Sequence, residues 1–115
     1  MHATRIANDL DACWKASPSQ ISKTNDSATV PVRLVASRDV YVFRRALVFG
    51  KKTARTVNVG SVWLGTSSVN DAQPWEIRTD EVHLWDAPPG AKIDPYDYYL
   101  DVANANDGVQ ILVLA

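Results

Sequence analysis

Three aspartates near the end of the chain carry side chains that commonly bind metal ions. Asp94, Asp97 and Asp101 offer carboxylate oxygens, and Ca²⁺ takes about six to eight oxygen ligands. Their spacing does not match an EF-hand loop, and Asp97, Tyr99 and Asp101 alternate with apolar positions as one face of a strand does. We therefore predict a water-exposed strand face that is available for protein contact, and neither a metal site nor a bound cofactor.

Histidine, cysteine and serine residues are not arranged for catalysis. His2 and His83 are far apart in the sequence, whereas a zinc site needs three or four converging ligands. Neither a serine nor Cys13 lies in a recognisable nucleophile motif. Cys13 is the single cysteine, so it forms no internal disulfide, which fits a reducing cytoplasm. We interpret His83 as a solvent-facing strand residue and predict that the chain is not an enzyme.

The chain divides into oppositely charged segments although its net charge is −1. Residues 30–70 carry seven basic residues and one acidic residue, a net charge of +6, and residues 71–115 carry two basic and nine acidic residues, a net charge of −7. Such segments attract each other, within one fold or between copies.

The basic run in the first of these segments has three interpretations. In order of preference they are a solvated sheet rim, a docking surface for an acidic protein and a phosphate-binding site. The near-neutral total charge argues against a nucleic-acid partner. The run consists of Arg44, Arg45, Lys51, Lys52 and Arg55.

Four tryptophans are many for 115 residues. Tryptophan is favoured in cores and at interface hot spots, and its ring can stack on sugars. Val82 and Leu84 indicate the core side of their strand, so Trp85 is expected to point outward and is the best interface candidate of the four. The open alternative is a sandwich with two apolar faces.

Residues 1–29 are predicted to form an arm outside the main domain. Ile6, Leu10, Cys13 and Trp14 follow helical spacing, which predicts a short helix over residues 4–15 with an apolar stripe. Residues 16–29 are polar and predict a flexible linker. Ile6, Leu10 and Trp14 are therefore candidate contacts with the chain's own domain or with a neighbour.

Residues 30–115 change to a period of two, which predicts an all-β domain of about seven to eight short strands. Frequent turn residues favour an antiparallel β-sandwich or small barrel. Pro89-Gly90 suits the centre of a type II turn. The last strand is apolar on both faces, which predicts that it is central or covered by a partner. The longest apolar run is five residues, Ile111–Ala115, too short to cross a membrane.

About 70 residues, from 44 to 115, resemble small β proteins encoded in the structural gene blocks of tailed bacteriophages. In those proteins a strand of the "nvGsVyiG" type precedes a polar loop, a hairpin and a closing strand. The chain has Arg78-Thr79-Asp80-Glu81 where those proteins usually have a Pro-Gly turn, and its first 29 residues are not part of the resemblance. The matching stretches are Arg44–Gly50, Asn58–Gly65, Gln73–Ile77, Ala87–Asp94, Tyr99–Val102 and Asp107–Leu114.

The resemblance implies a virion structural protein, such as a capsid decoration (cement) protein or a head or tail accessory protein. The expected partners are the major capsid protein or other virion proteins and further copies of the chain, and the expected location is the virion, assembled in the bacterial host cytoplasm. Trimers are common among the proteins it resembles. The alternative function is a carbohydrate-binding or host-attachment module that uses exposed tryptophan and tyrosine rings.

Overall fold

The computed structural model describes residues 20–52, 56–72 and 75–115. Within them the regular secondary structure is all β apart from one short 3₁₀ helix at Pro95–Asp97. This confirms the all-β prediction. The strands are β1 (Gln20–Thr24), β2 (Val32–Arg33), β3 (Arg45–Gly50), β4 (Val62–Gly65), β5 (Glu76–Ile77), β6 (Val82–Asp86), β7 (Tyr99–Val102) and β8 (Gly108–Val113).

The strands form two antiparallel sheets of four strands each. Sheet A has the order β1-β8-β3-β6, and sheet B has the order β2-β7-β4-β5. One apolar cluster takes residues from both sheets, among them Val48 and Ile111 from sheet A and Val62 and Leu100 from sheet B, each fully or almost fully buried. Two sheets sharing one core in this way make a β-sandwich.

The central position of β8 confirms the prediction from its two apolar faces. β8 lies between β1 and β3 and pairs with both over five residues. Val109, Ile111 and Val113 point into the core. Leu112 lies on the outer face and is half-buried. A strand with neighbours on both edges has its backbone groups paired, so it can be apolar on both faces.

The linker prediction is wrong for residues 20–24, which form the edge strand β1. Ile21 packs in the core, and the backbone pairs in register with β8 from Gln20 opposite Leu112 to Thr24 opposite Gly108. A single buried isoleucine and a continuous strand edge are enough to order a polar segment. The predicted helix over residues 4–15 lies outside the described residues, together with Ile6, Leu10, Trp14 and the linker residues 16–19.

The orientation predicted for β6 is also wrong. Trp85 is 8% exposed and lies in the core, whereas Val82 and Leu84 point to solvent. The Trp85 ring meets the rings of Phe43, Trp75 and Tyr98 edge to face, with centroids 5.1, 4.9 and 4.7 Å away. Burying the large indole among three aromatic rings outweighs burying a valine and a leucine, because aromatic side chains bury the most area.

Two further segments alternate in the sequence as strands do but form only isolated bridges. Around residues 40–43 only Phe43 forms an isolated bridge, with Ile93, and around residues 57–59 only Val57 does, with Lys52. The turn prediction at Pro89-Gly90 is confirmed. Gly90 has φ +79°, and the Ala91 N–H donates to the Pro88 carbonyl at 2.9 Å, as a type II turn requires.

Candidate interaction surface

The outer face of sheet A carries a continuous apolar patch. Leu47 of β3 lies directly opposite Leu84 of β6 on one side and Leu112 of β8 on the other. One step along β3, Phe49 lies opposite Val82. Cross-strand neighbours on one face touch. We call these five residues the sheet A patch: Leu47, Phe49, Val82, Leu84 and Leu112.

The patch is most open at the β6 edge. Val82 is 62% exposed and Leu84 is 57% exposed, whereas Leu47, Phe49 and Leu112 are half-buried. Single exposed apolar residues are common, but a contiguous group spanning three strands is a candidate interaction surface. The sequence indicated an apolar outer face for β8, which is apolar on both sides, but not for β6, because the orientation of β6 was predicted the other way round.

Charged groups border one end of the patch. The Arg45 guanidinium meets the Asp86 carboxylate with two hydrogen bonds, Nε to Oδ1 at 3.3 Å and Nη2 to Oδ2 at 3.1 Å. This ion pair joins the basic and acidic segments of the chain, as does Arg38 with Asp97 at 3.0 Å. The opposite charges therefore meet within one fold at these points.

The basic run does not form one cluster. Arg45 pairs with Asp86, and the Lys51 ammonium donates to the Asn106 carbonyl. Arg44 and Lys52 are exposed. Arg55 lies outside the described residues. The four described residues lie at the two ends of β3 and just beyond it, so they do not form a single basic surface.

The three aspartates considered for calcium have separate roles. Asp94 caps the 3₁₀ helix by accepting from the Tyr96 N–H at 3.0 Å and also accepts from the Asp39 N–H at 2.9 Å. Asp97 pairs with Arg38, and Asp101 lies beside Trp63 on sheet B. The described part of the chain contains no group of three or more His, Cys, Asp or Glu side chains placed to hold a metal ion.

The prediction that Asp101 lies on a wet strand face is wrong. Asp101 is 3% exposed and lines a cleft of about 560 Å³ with Trp63, Asn70 and Asp71 on the outer side of sheet B. Its Oδ1 has no hydrogen-bond partner among the described residues. Burial raises the pKa of Asp101 above its ordinary value; a hydrogen bond from the Val102 N–H opposes this, and the Asp71 charge adds to it. The Asp101 carboxylate is therefore a hydrogen-bond acceptor with little access to water.

Tyr99 is half-buried and already has a partner in the chain. The Arg33 guanidinium donates to the Tyr99 hydroxyl and to the Tyr96 carbonyl. It also lies over both rings, 3.9 Å from the Tyr96 centroid and 4.8 Å from the Tyr99 centroid. Tyr99 and Asp101 therefore do not form the exposed face with Asp97 that the alternation predicted.

Trp75 and His83 close the β6 side of the core. The Trp75 Nε1–H donates to His83 Nδ1 at 3.2 Å, and His83 Nε2 lies 3.3 Å from Glu81 Oε1. His83 is half-buried, so its predicted solvent-facing position is wrong. Trp85 is buried in the core, so a sugar-stacking role for Trp85 does not fit this structure, and Trp75 is half-buried.

Comparison of the chain with known protein families, with curated proteins and with solved structures finds no match. Among the described residues, no helix has the length and apolar character needed to cross a membrane.

Proposed function

We propose that the chain is a structural protein of a tailed-bacteriophage particle, a capsid decoration or accessory protein that binds the shell and neighbouring copies. The observation that carries the protein-binding part is the sheet A patch, with Val82 and Leu84 more than half exposed. The bacteriophage part is supported by the resemblance of residues 44–115 to small virion β proteins. The proposal assigns no catalytic residue.

Binding through this surface works by burying apolar area and aligning charges. Each large side chain that leaves water contributes roughly 1.5–3 kcal/mol when fully buried, before the cost of association. Arg45 and Asp86 lie at the margin of the patch, where such groups favour specificity over affinity. On a particle, many weak contacts add up, because each further contact is made within one assembly.

The N-terminal segment is the second element of the proposal. Its apolar stripe, Ile6, Leu10 and Trp14, clasps a neighbouring subunit. The segment joins the described fold at Gln20, which lies opposite Leu112 of the sheet A patch. It therefore leaves the domain at the border of the proposed docking face.

A pair of matched double variants tests the docking face. Val82→Glu with Leu84→Glu places two charges in the patch, and Val40→Glu with Val59→Glu places them at equally exposed valines elsewhere, 63% and 77% exposed. We expect the first variant to lose co-sedimentation with particles by tenfold or more, on the order of 1.4 kcal/mol, and the second to bind as the wild type does. Equal binding by both variants would rule out the sheet A patch.

The Trp63 cleft favours the alternative function, a carbohydrate-binding module. Trp63 is 8% exposed and lines the cleft with Asn70, Asp71 and Asp101, so the cleft offers an apolar wall with hydrogen-bonding groups around it. Glycan-array binding that is lost on Asn70→Ala with Asp71→Ala, both exposed positions, would support this alternative. Co-purification with particles in fixed stoichiometry, with no glycan bound, would support the structural role.

A further inference from the structure

β6 is an edge strand with half of its backbone groups facing outward. Among the strands that the structure describes, it pairs with β3 alone. The Ala87 N–H donates to the Arg44 carbonyl. In an antiparallel pair every second residue of a strand forms backbone hydrogen bonds to the same neighbour, so this bond shows which residues of β6 bond to β3. The backbone N–H and C=O groups of His83 and Trp85 therefore point toward β3. Those of Val82, Leu84 and Asp86 point to the open edge.

Among the described sheet edges, β6 is the least protected. β2 and β5 are two residues long, and β1 is polar, with Lys23 near its centre. β6 has five residues, no lysine and no proline, and its exposed residues are Val82, Leu84 and Asp86, of which the first two are apolar. Proteins usually protect such edges with lysine, proline or a bulge, because an open apolar edge pairs with another strand.

We propose that β6 pairs antiparallel with β6 of a second copy, about a twofold axis at Leu84. This inference rests on the proposed function, in which copies of the chain contact one another. In that register Leu84 lies opposite Leu84 of the second copy, and Val82 lies opposite Asp86. Each of the three outward residues in each strand then donates one N–H and accepts at one C=O, giving about six backbone hydrogen bonds. The two sheets become one continuous sheet of eight strands.

The side chains fit a second copy of the chain. The strand has an odd number of residues with Leu84 at its centre, so a twofold axis brings identical apolar groups together and joins the two sheet A patches. His83 lies opposite Trp85 of the second copy, and Glu81 lies opposite Ala87. No two like charges stand directly opposite, which cross-strand pairing requires. Asp86 keeps Arg45 of its own chain as partner.

Cysteine cross-linking of the full chain tests the register. Cys13 is first changed to serine, and a short two-maleimide reagent is then added to single-cysteine variants. Leu84→Cys should link to itself, because the paired Cα atoms are about 5.5 Å apart. Val82→Cys should link poorly to itself, since the two copies of this position are offset by about 13 Å along the strands. A mixture of Val82→Cys and Asp86→Cys chains should link well.

Sedimentation of the purified chain, without particles, tests the pairing itself. The wild type should show a concentration-dependent dimer; Leu84→Lys should be monomeric, with at least a tenfold weaker association, and Val40→Lys should dimerise as the wild type does. A wild type that stays monomeric, or a dimer that Leu84→Lys leaves intact, would overturn the pairing. So would cross-linking of Leu84→Cys to Cys13, in a second variant that retains Cys13, in place of a second position 84; this would identify the N-terminal segment as the occupant.

These outcomes are separate from those for particle binding. A monomeric wild type that still co-sediments with particles would overturn only the β6 pairing. A dimer with the expected cross-links that ignores particles would overturn only the virion role.

Discussion

Asp101 shows most clearly how one residue departs from its sequence pattern. The alternating pattern predicted that Asp101 shares a water-exposed face with Tyr99. In the structure, the segment of residues 66–72, which follows β4, lines the cleft beside Trp63 together with sheet B. Strand parity predicts which side of a sheet a residue faces. It cannot predict whether a loop covers that side, because loop placement depends on contacts far apart in the sequence.

We predict that Asp101→Asn stabilises the fold at neutral pH by about 1 kcal/mol, the scale of a poorly satisfied buried group. Burial raises the pKa of Asp101 in the folded chain, so the folded state binds this proton more tightly than the unfolded state does. The carboxylate therefore costs stability as the pH rises from about 3.8, its ordinary pKa, through the raised value, and the cost is constant above it.

Urea unfolding of wild type and Asp101→Asn across this pH range measures the effect. The difference in the free energy of unfolding between the two proteins should shrink as the pH falls. A gap between wild type and Asp101→Asn that is the same at every pH would contradict the assignment.

Two glycines make a matched pair for backbone packing. A Cβ on Gly108 would lie 2.3 Å from the Lys23 carbonyl oxygen of β1, whereas one on Gly90 would meet nothing within 4 Å and would only strain φ +79°. We expect Gly108→Ala to cost about 2–3 kcal/mol and Gly90→Ala about 1 kcal/mol. In hydrogen-exchange measurements, the backbone amides of β1 should exchange faster in Gly108→Ala than in the wild type, and Gly90→Ala should leave their exchange unchanged. Equal losses for the two variants would mean that β1 does not pack against Gly108.

At the scale of elements, strand existence is more predictable than strand orientation. β3, β4, β7 and β8 alternate clearly and form where expected. β6 has apolar residues on both faces, so its orientation depends on partners that are distant in sequence, namely Phe43, Trp75 and Tyr98. β1 was missed because QISKT carries a single large apolar residue and gains its order from the edge of β8.

The position of β1 gives a deletion prediction. Removing residues 1–24 takes away Ile21 and the whole β1–β8 pairing, so we expect a loss on the order of 4 kcal/mol in the free energy of unfolding. Removing residues 1–19 leaves both in place and should leave thermal unfolding close to that of the full chain. Similar unfolding curves for the two truncations would show that β1 contributes little. Only the shorter truncation is suitable for testing the clasp by residues 1–19.

At the scale of the whole molecule, the sequence showed two oppositely charged segments, but it did not show which of their residues form ion pairs. The structure pairs Arg45 with Asp86 and Arg38 with Asp97, so basic and acidic segments meet inside one domain. These pairs are about half exposed and contribute little to stability, since exposed ion pairs are worth about 0–1 kcal/mol. A double-mutant cycle with Arg45→Ala and Asp86→Ala should therefore give a coupling energy under about 1 kcal/mol; a larger value would mean that the pair is shielded from water.

The central claim is that this protein acts by binding other protein subunits on an assembled particle. The most direct measurement is the number of copies of the full-length chain per purified particle, counted by quantitative mass spectrometry over several preparations. The account predicts a fixed number of copies that survives washing and repeated sedimentation. A chain that is absent from particles and recovered alone from the producing cells would contradict it.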